Sequence, residues 1–403
     1  MSILVKIADL DLSGKTVLIR EDYNVPIKDG VVTSDTRIKA TLPTLQEVLD
    51  AGAKIILVSH LGRPVAGEYN DDFSLAPVAK SLSDFLGIDI PVIKDWINGI
   101  DMTDHQVVLC ENVRFESGET KNDEELARKM AQLCQVYIND AFATSHRAQA
   151  STHGVAKYAA VSAAGPLLIN ELKSLTKALR DPERPLVAIV GGSKVSTKLT
   201  ILETLSEKVD QLIVGGGIVN TFLKAAGYEI GKSLHEPDLV NIASKLMKLA
   251  EEKECQIPLP VDVICGKEFD ENTKAEIKAV ADVEKDDLIM DVGPETTKQL
   301  AAIIDNAKTI VWNGPLGVFE FDQFSQGTEN LAKAISEAQA YSLAGGGDTI
   351  AAINKFNVDK NISYISTGGG AFLEYLEGKK LPAIEILEEA ARAWEAMERA
   401  REL

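Results

Sequence analysis

Eleven arginines are spread unevenly along this 403-residue chain: all lie in residues 1–184 or 392–401, and several follow directly on short apolar runs. The stretch "VLIREDYNVP" supplies Arg20, Asp22 and Asn24, and "ILVSHLGRP" supplies His60 and Arg63. "VLCENVRF" adds Arg114, and "YINDAFATSHR" adds His146 and Arg147. Arg37, in "TSDTRIKATLP", reads as lying just before a helix whose first turns hold Pro43. A guanidinium is a permanent cation whose fork of N–H donors matches carboxylate and phosphate oxygens in pairs. One such arginine is ordinarily a surface ion pair of little energetic weight. A set of them at the ends of apolar runs points instead to a pocket for a dense anion. Arg20 and Asp22 stand two apart and share a strand face, so Arg20 either meets the ligand or only holds the acidic group in place.

The second half offers different chemistry. Within "VAIVGGSKVSTKLTIL", Lys194 and Lys198 stand four apart at the start of a helical pattern, where two like charges repel by a few tenths of a kcal/mol. Six apolar runs here end in glycine, at Gly191–Gly192, Gly215–Gly217, Gly293, Gly314, Gly345–Gly347 and Gly368–Gly370. Repeated at successive strand ends, glycine suggests backbone approaching a ligand along a whole sheet edge. Asp348 follows one cluster where "TIAAI" opens a helix. Amides at a helix start bind phosphate. A carboxylate there either caps the helix or holds Mg²⁺, which favours oxygen ligands. Glu320, near another strand end, suits ribose hydroxyls or a plain exposed turn. The chain has neither G-x-x-x-x-G-K-[ST] nor G-x-G-x-x-G, which excludes a P-loop and counts against a dinucleotide site.

Elements that would carry these residues alternate along the chain. β-like runs ("KTVLIR", "AKIILVSH", "HQVVLC", "QVYIND", "PLVAIV", "DQLIVGG", "DLIMDV", "KTIVWN", "AYSLAGG") are separated by amphipathic helical stretches. The pattern predicts α/β architecture with parallel sheets covered by helices, and ligands at the carboxyl ends of strands. Residues 165–185 read as a connecting helix with Pro166 in its first turn and a stripe of Leu168, Leu172, Leu175 and Leu179, ended by Asp181-Pro182 and Pro185. A last helix, about 384–401, carries Leu387, Ala391, Trp394 and Met397 on one side. A net charge of −19 disfavours general binding to nucleic acid or anionic membrane. Cys110, Cys134, Cys255 and Cys265 form no C-x-x-C pair and read as idle thiols of a reducing compartment. No secretory leader and no apolar run near the ~20 residues of a membrane span is apparent. The expectation is a soluble cytoplasmic protein.

These blocks, with "GGSKVSTK", "VWNGPLGVFE", "GGGDT" and "STGGGAFLEYLEGKKLP", resemble the signatures of phosphoglycerate kinases, in that family's order, from about residue 5 to 385. Departures at Glu21, Tyr23, Phe372 and Ala383 remove none of the contacts considered. The resemblance implies two Rossmann-like domains. Residues 1–165, with about 384–403 returning to them, would bind 3-phosphoglycerate or 1,3-bisphosphoglycerate; 166–183 would be the interdomain helix; 184–383 would bind MgADP or MgATP. Implied substrate contacts are Asp22, Asn24, Arg37, His60, Arg63, Arg114 and Arg147, with His146 nearby. Implied nucleotide contacts are Lys194, Lys198, Gly293, Asn313, Glu320, Gly346, Gly347, Asp348 and Thr349, with Asp348 as metal ligand. Catalysis would fall to Arg37, Lys194 and the amides of Gly347 and Gly370 after hinge-bending closure. A monomeric glycolytic enzyme is implied. Two other classes stay open: an NAD-dependent dehydrogenase, disfavoured by the missing fingerprint, and an anion-binding protein without turnover.

Overall fold

The computed structural model describes residues 4–401, which form two compact units. One takes the chain up to Lys173 and again from Lys380; the other is Ser174–Lys379. The helix Pro166–Leu179 runs from the first into the second. It starts on the expected proline, and the Asp140 carboxylate accepts the Leu168 N–H at 3.0 Å, satisfying one of the amides a helix start leaves open.

The first unit is built on a six-stranded sheet in the order Val92–Ile93, Val107–Cys110, Lys54–Val58, Thr16–Arg20, Val136–Asn139, Ser162–Ala164. Every pairing is parallel. Central strands such as Val107–Cys110 are buried along their length, because helices cover both faces and leave no side for polar residues. The helix Thr36–Asp50 buries Ile38, Thr41, Leu45 and Val48 at helical spacing, and each of its large apolar side chains contributes about 1.5–3 kcal/mol. That burial carries the helix back past Arg37, which lies inside it rather than before it, and Pro43 is internal rather than in the first turn. The final helix, Pro382–Arg401, places Ala391 and Trp394 in the core of this unit beside Val5, Ile7 and Val17. Leu387 is buried, but Met397 is 47% exposed, so the predicted stripe ends before it.

In the second unit a five-stranded parallel sheet runs Gln211–Gly216, Leu186–Gly192, Thr309–Asn313, Tyr341–Gly345, Tyr364–Ser366. The run "DLIMDV" does form a strand, Leu288–Val292, but not in this sheet. It pairs antiparallel with Asp262–Gly266, which also pairs antiparallel with Glu276–Ala279. The run is covered on both faces and so has the continuous apolar pattern of a parallel strand. In both parallel sheets the strand order reverses beside the first strand, Thr16–Arg20 or Leu186–Gly192. Such switch points open a crevice beyond the carboxyl ends. No helix among the described residues is long and apolar enough to cross a membrane.

Candidate active site

In the first unit the polar residues that follow the strands gather around His60. This ring is 6% exposed, and its pKa is driven down to about 2, first by burial and then by the guanidiniums of Arg20, Arg114, Arg37 and Arg147. Arg114 is itself lowered to about 10 by burial and by Arg147, Arg20 and Arg63, against which Glu119 acts. Arginines separated by more than a hundred residues therefore share one field, as strand-end placement predicts. Arg37 Nη1 donates to Asp22 Oδ2 at 2.7 Å and to the Asn24 carbonyl at 3.1 Å. Asn24 Oδ1 accepts the Gly62 N–H at 2.9 Å, and Arg114 donates to the Gly62 carbonyl. The loops bearing Asn24, Arg63 and Arg114 are thus tied together. Arg147 Nε lies 3.0 Å from His146 Nε2 and donates to it, and the Arg63 and Arg147 side chains are exposed. Like charges crowded in this way repel unless an anion joins them.

Arg20 is fully buried and its nitrogens meet Ser151, the Glu21 carbonyl and His60 rather than Asp22, which Arg37 holds, so it neither reaches a ligand nor holds that acidic group. Glu21 beside it is also fully buried, with neither carboxylate oxygen hydrogen-bonded, and burial raises its pKa well above the usual range.

In the second unit Lys198 is the residue before the helix Leu199–Ser206, and Lys194 lies in the preceding loop. The two lysines therefore do not share a helix face as their spacing suggests. Lys198 Nζ donates to the Gly191 carbonyl at 2.7 Å and to the carbonyl and side-chain oxygen of Asn313. Burial brings its pKa down to about 8, partly opposed by Asp348. The Asn313 amide donates to the Gly345 carbonyl at 2.7 Å, so Asn313 serves the site by fixing Lys198. Lys194 is exposed and makes no salt bridge. Its loop is pinned by Glu236, whose carboxylate accepts the Ser196 N–H at 2.8 Å and the Ser196 hydroxyl at 2.5 Å.

Asp348 is not the cap of its helix, Gly347–Phe356; that position belongs to Gly346, at φ 100, where only glycine is comfortable. The Asp348 carboxylate is exposed in the first turn, and Thr349 below it is buried, donating to the Gly345 carbonyl and accepting the Gly314 N–H. The glycines divide into two kinds. A Cβ on Gly191 would overlap the Pro315 carbonyl, and one on Gly314 the Gly191 carbonyl, so these residues let two strand ends pack against each other. A Cβ on Gly293 would strike the Asp262 carboxylate. Gly347 and Gly369, by contrast, have open space where a side chain would be. Gly347 and Gly370 are the exposed first residues of their helices.

A cavity of about 270 Å³ opens beside these groups, with Glu320 and Asp348 on its lining. Its wall includes Leu234, Phe269, Met290, Leu316 and Val318, which the sequence reading missed, because apolar residues carry no chemical signature. Asp291 was missed as well. It accepts the Val292 and Gly327 N–H groups, and burial raises its pKa to about 7. A mostly apolar slot whose polar lining includes Ser193, Asn220, Glu320 and Asp348 suits a flat base with a polar group at its edge.

A family model described as phosphoglycerate kinase matches residues 7–379. A solved phosphoglycerate kinase from Coxiella burnetii is 54% identical, with 96% of this chain and 100% of that chain covered, at a TM-score of 0.94. One from Pyrococcus horikoshii OT3 is 31% identical, with 97% and 100% covered, at a TM-score of 0.79.

Proposed function

The chain belongs to the phosphoglycerate kinase family, and from that premise we propose how its own residues carry out the family's reversible phosphoryl transfer between 1,3-bisphosphoglycerate and ADP. The acid phosphate binds the first unit through Asp22, Asn24, Arg37, His60, Arg63, Arg114 and Arg147, with His146 orienting Arg147. The carrying observation is the convergence of four guanidiniums, from Arg20, Arg37, Arg114 and Arg147, on His60, an arrangement that suits a multiply charged anion. The nucleotide base enters the apolar cavity of the second unit. Its phosphates meet Lys194, Lys198 and the helix-start amides of Gly347 and Gly370, while Glu320 faces the ribose; Gly293 is not on the cavity wall and packs against Asp262 instead.

The residues fit Mg²⁺: Asp348 offers one exposed hard oxygen donor beside a phosphate site, matching an ion that keeps most of its ligands as water and phosphate. When bound, the ion offsets phosphate charge. The acceptor carboxylate of 3-phosphoglycerate is ionised at neutral pH, so no general base is required. Catalysis is positioning plus charge neutralisation, by Arg37 from one side and Lys194 with the two amides from the other. In-line transfer needs the two units to close on each other, with the helix Pro166–Leu179 as the hinge. Four buried free thiols support a reducing compartment such as the cytoplasm.

A coupled assay of ATP-dependent 3-phosphoglycerate phosphorylation tests the proposal, with Arg63→Ala expected to raise the KM for phosphoglycerate and leave that for ATP unchanged. Binding of both ligands without turnover would favour the non-catalytic alternative. An equal effect of Arg63→Ala on both constants would overturn the division of substrates between units.

A further inference from the structure

Arg20 is the one arginine of the cluster with no exposed surface, so it cannot touch a ligand. All three of its nitrogens are engaged. Nε donates to Ser151 Oγ at 3.0 Å, Nη1 to the Glu21 carbonyl, and Nη2 lies 3.1 Å from His60 Nδ1. The Ser151 hydroxyl in turn donates a hydrogen bond to Glu119 Oε1 at 2.6 Å, and the Ser151 N–H donates to Glu119 Oε2 at 2.9 Å. A buried chain therefore runs Glu119–Ser151–Arg20–His60, anchored at its acidic end by both carboxylate oxygens.

The direction of the last link is fixed by chemistry. A guanidinium has donors and no acceptor, so Nδ1 must present its lone pair. We propose that Arg20 is a positioning residue that sets the tautomer of His60, placing the ring proton on Nε2 so that a neutral imidazole offers Nε2–H to the anionic substrate.

The surroundings agree. The charged groups around the ring are Arg20, Arg37, Arg114 and Arg147, with one carboxylate, Asp22, whose Oδ1 is 4.0 Å from Nδ1, beyond hydrogen-bond reach. An imidazolium would add a further cation to that set and would turn a second N–H against Arg20. A neutral ring donates a directed hydrogen bond to the anion without adding to the repulsion in the empty site. The inference rests on His60 lying in the phosphoglycerate site, yet the ring's protonation is read in the free enzyme and does not depend on turnover.

The test is a long-range ¹H–¹⁵N correlation spectrum of the full chain carrying ring-labelled histidine, with His60 assigned by its disappearance in His60→Gln. The expected spectrum is the Nε2–H tautomer, unchanged between pH 8 and pH 5. An Nδ1–H tautomer, or an imidazolium in that range, overturns the proposal on the wild-type protein alone. In Arg20→Met the ring should become a mixture of tautomers, while burial and the three remaining guanidiniums keep it neutral. KM for 3-phosphoglycerate should rise by about tenfold or more while KM for ATP holds, as for loss of a charge-assisted hydrogen bond. A folded Arg20→Met whose His60 keeps a pure Nε2–H form would equally overturn it.

Discussion

Lys198 links nucleotide binding to proton uptake. In the free enzyme burial holds its pKa at about 8, so roughly half of the side chains are neutral at pH 8 and about nine-tenths at pH 9. Phosphate oxygens arriving at the site favour the ammonium and restore its pKa toward the ordinary value of about 10.4. Binding should then take up about 0.1 proton at pH 7, about 0.5 at pH 8 and about 0.9 at pH 9. The sign follows from the lowered pKa: the free enzyme loses the proton as pH rises through about 8, and the complex keeps it. By the same linkage the affinity for ADP should fall about tenfold between pH 7 and pH 9, the ratio of protonated fractions. Titration calorimetry of MgADP in buffers of differing ionisation enthalpy measures the uptake directly, and over this range the nucleotide phosphates scarcely titrate. Lys198→Met is the control: it leaves Asn313 and the Gly191 carbonyl without their donor and should abolish the buffer dependence. A buffer-independent enthalpy for the wild type at pH 9, or an undiminished uptake in Lys198→Met, would refute the placement of this lysine at the phosphates.

Three other outcomes are expected. Lys194→Ala should lower kcat by a hundredfold or more, on the order of 3 kcal/mol, with Tm unchanged, since the side chain is exposed and unpaired; near-normal turnover would remove it from the mechanism. Gly191→Ala should cost about 3 kcal/mol or more in denaturant unfolding, because the new methyl meets the Pro315 backbone, whereas Gly347→Ala should leave stability within about 1 kcal/mol and still slow kcat about tenfold. Equal destabilisation of the two would mean that packing and ligand glycines have been wrongly separated. Glu21→Met should stabilise by about 1–3 kcal/mol by removing a buried carboxyl with no partner, and the gain should be larger at pH 8 than at pH 5. A raised native pKa means that stability falls as pH climbs above the unfolded value, which melting curves at the two pH values would register.

The arginine site was legible because its residues are few, charged and set at the ends of apolar runs, and that regularity survives without coordinates. What the sequence could not separate were residues of one type with different neighbours. Gly191 and Gly347 read alike as strand-end glycines, yet one is demanded by a facing carbonyl and the other stands in open space. Lys194 and Lys198 read as a repelling pair on one helix, but a loop pinned by Glu236 separates them from that geometry. Continuous apolar character at Leu288–Val292 records burial on both faces and says nothing about strand direction. Pro43 is a poor guide to a helix start, since the buried Ile38 lies upstream of it in the same helix. Asp291 gave no signal at all, because its raised pKa comes from burial that only the fold creates.

On the proposed assignment the two units meet the same demand, holding a polyanion, by unlike means, and the chemistry accounts for the difference. The phosphoglycerate side must hold a small, flexible acid in one pose, and rigid permanent cations organised by buried groups such as Glu119 and Arg20 do this. Their mutual repulsion makes the empty site unfavourable, so each ligand charge relieves it. The nucleotide side must stabilise the charge on the transferring phosphoryl group more than it stabilises ground-state nucleotide. An all-arginine cradle would bind ATP, ADP and the transition state alike, deepening ground-state binding without speeding transfer. Helix-start amides at Gly347 and Gly370, one exposed lysine and one lysine near its titration point supply weaker, directional stabilisation that gains most where charge is greatest, on the transferring phosphoryl group. On this argument a cradle of amides and lysines suits the nucleotide side better than further arginines would.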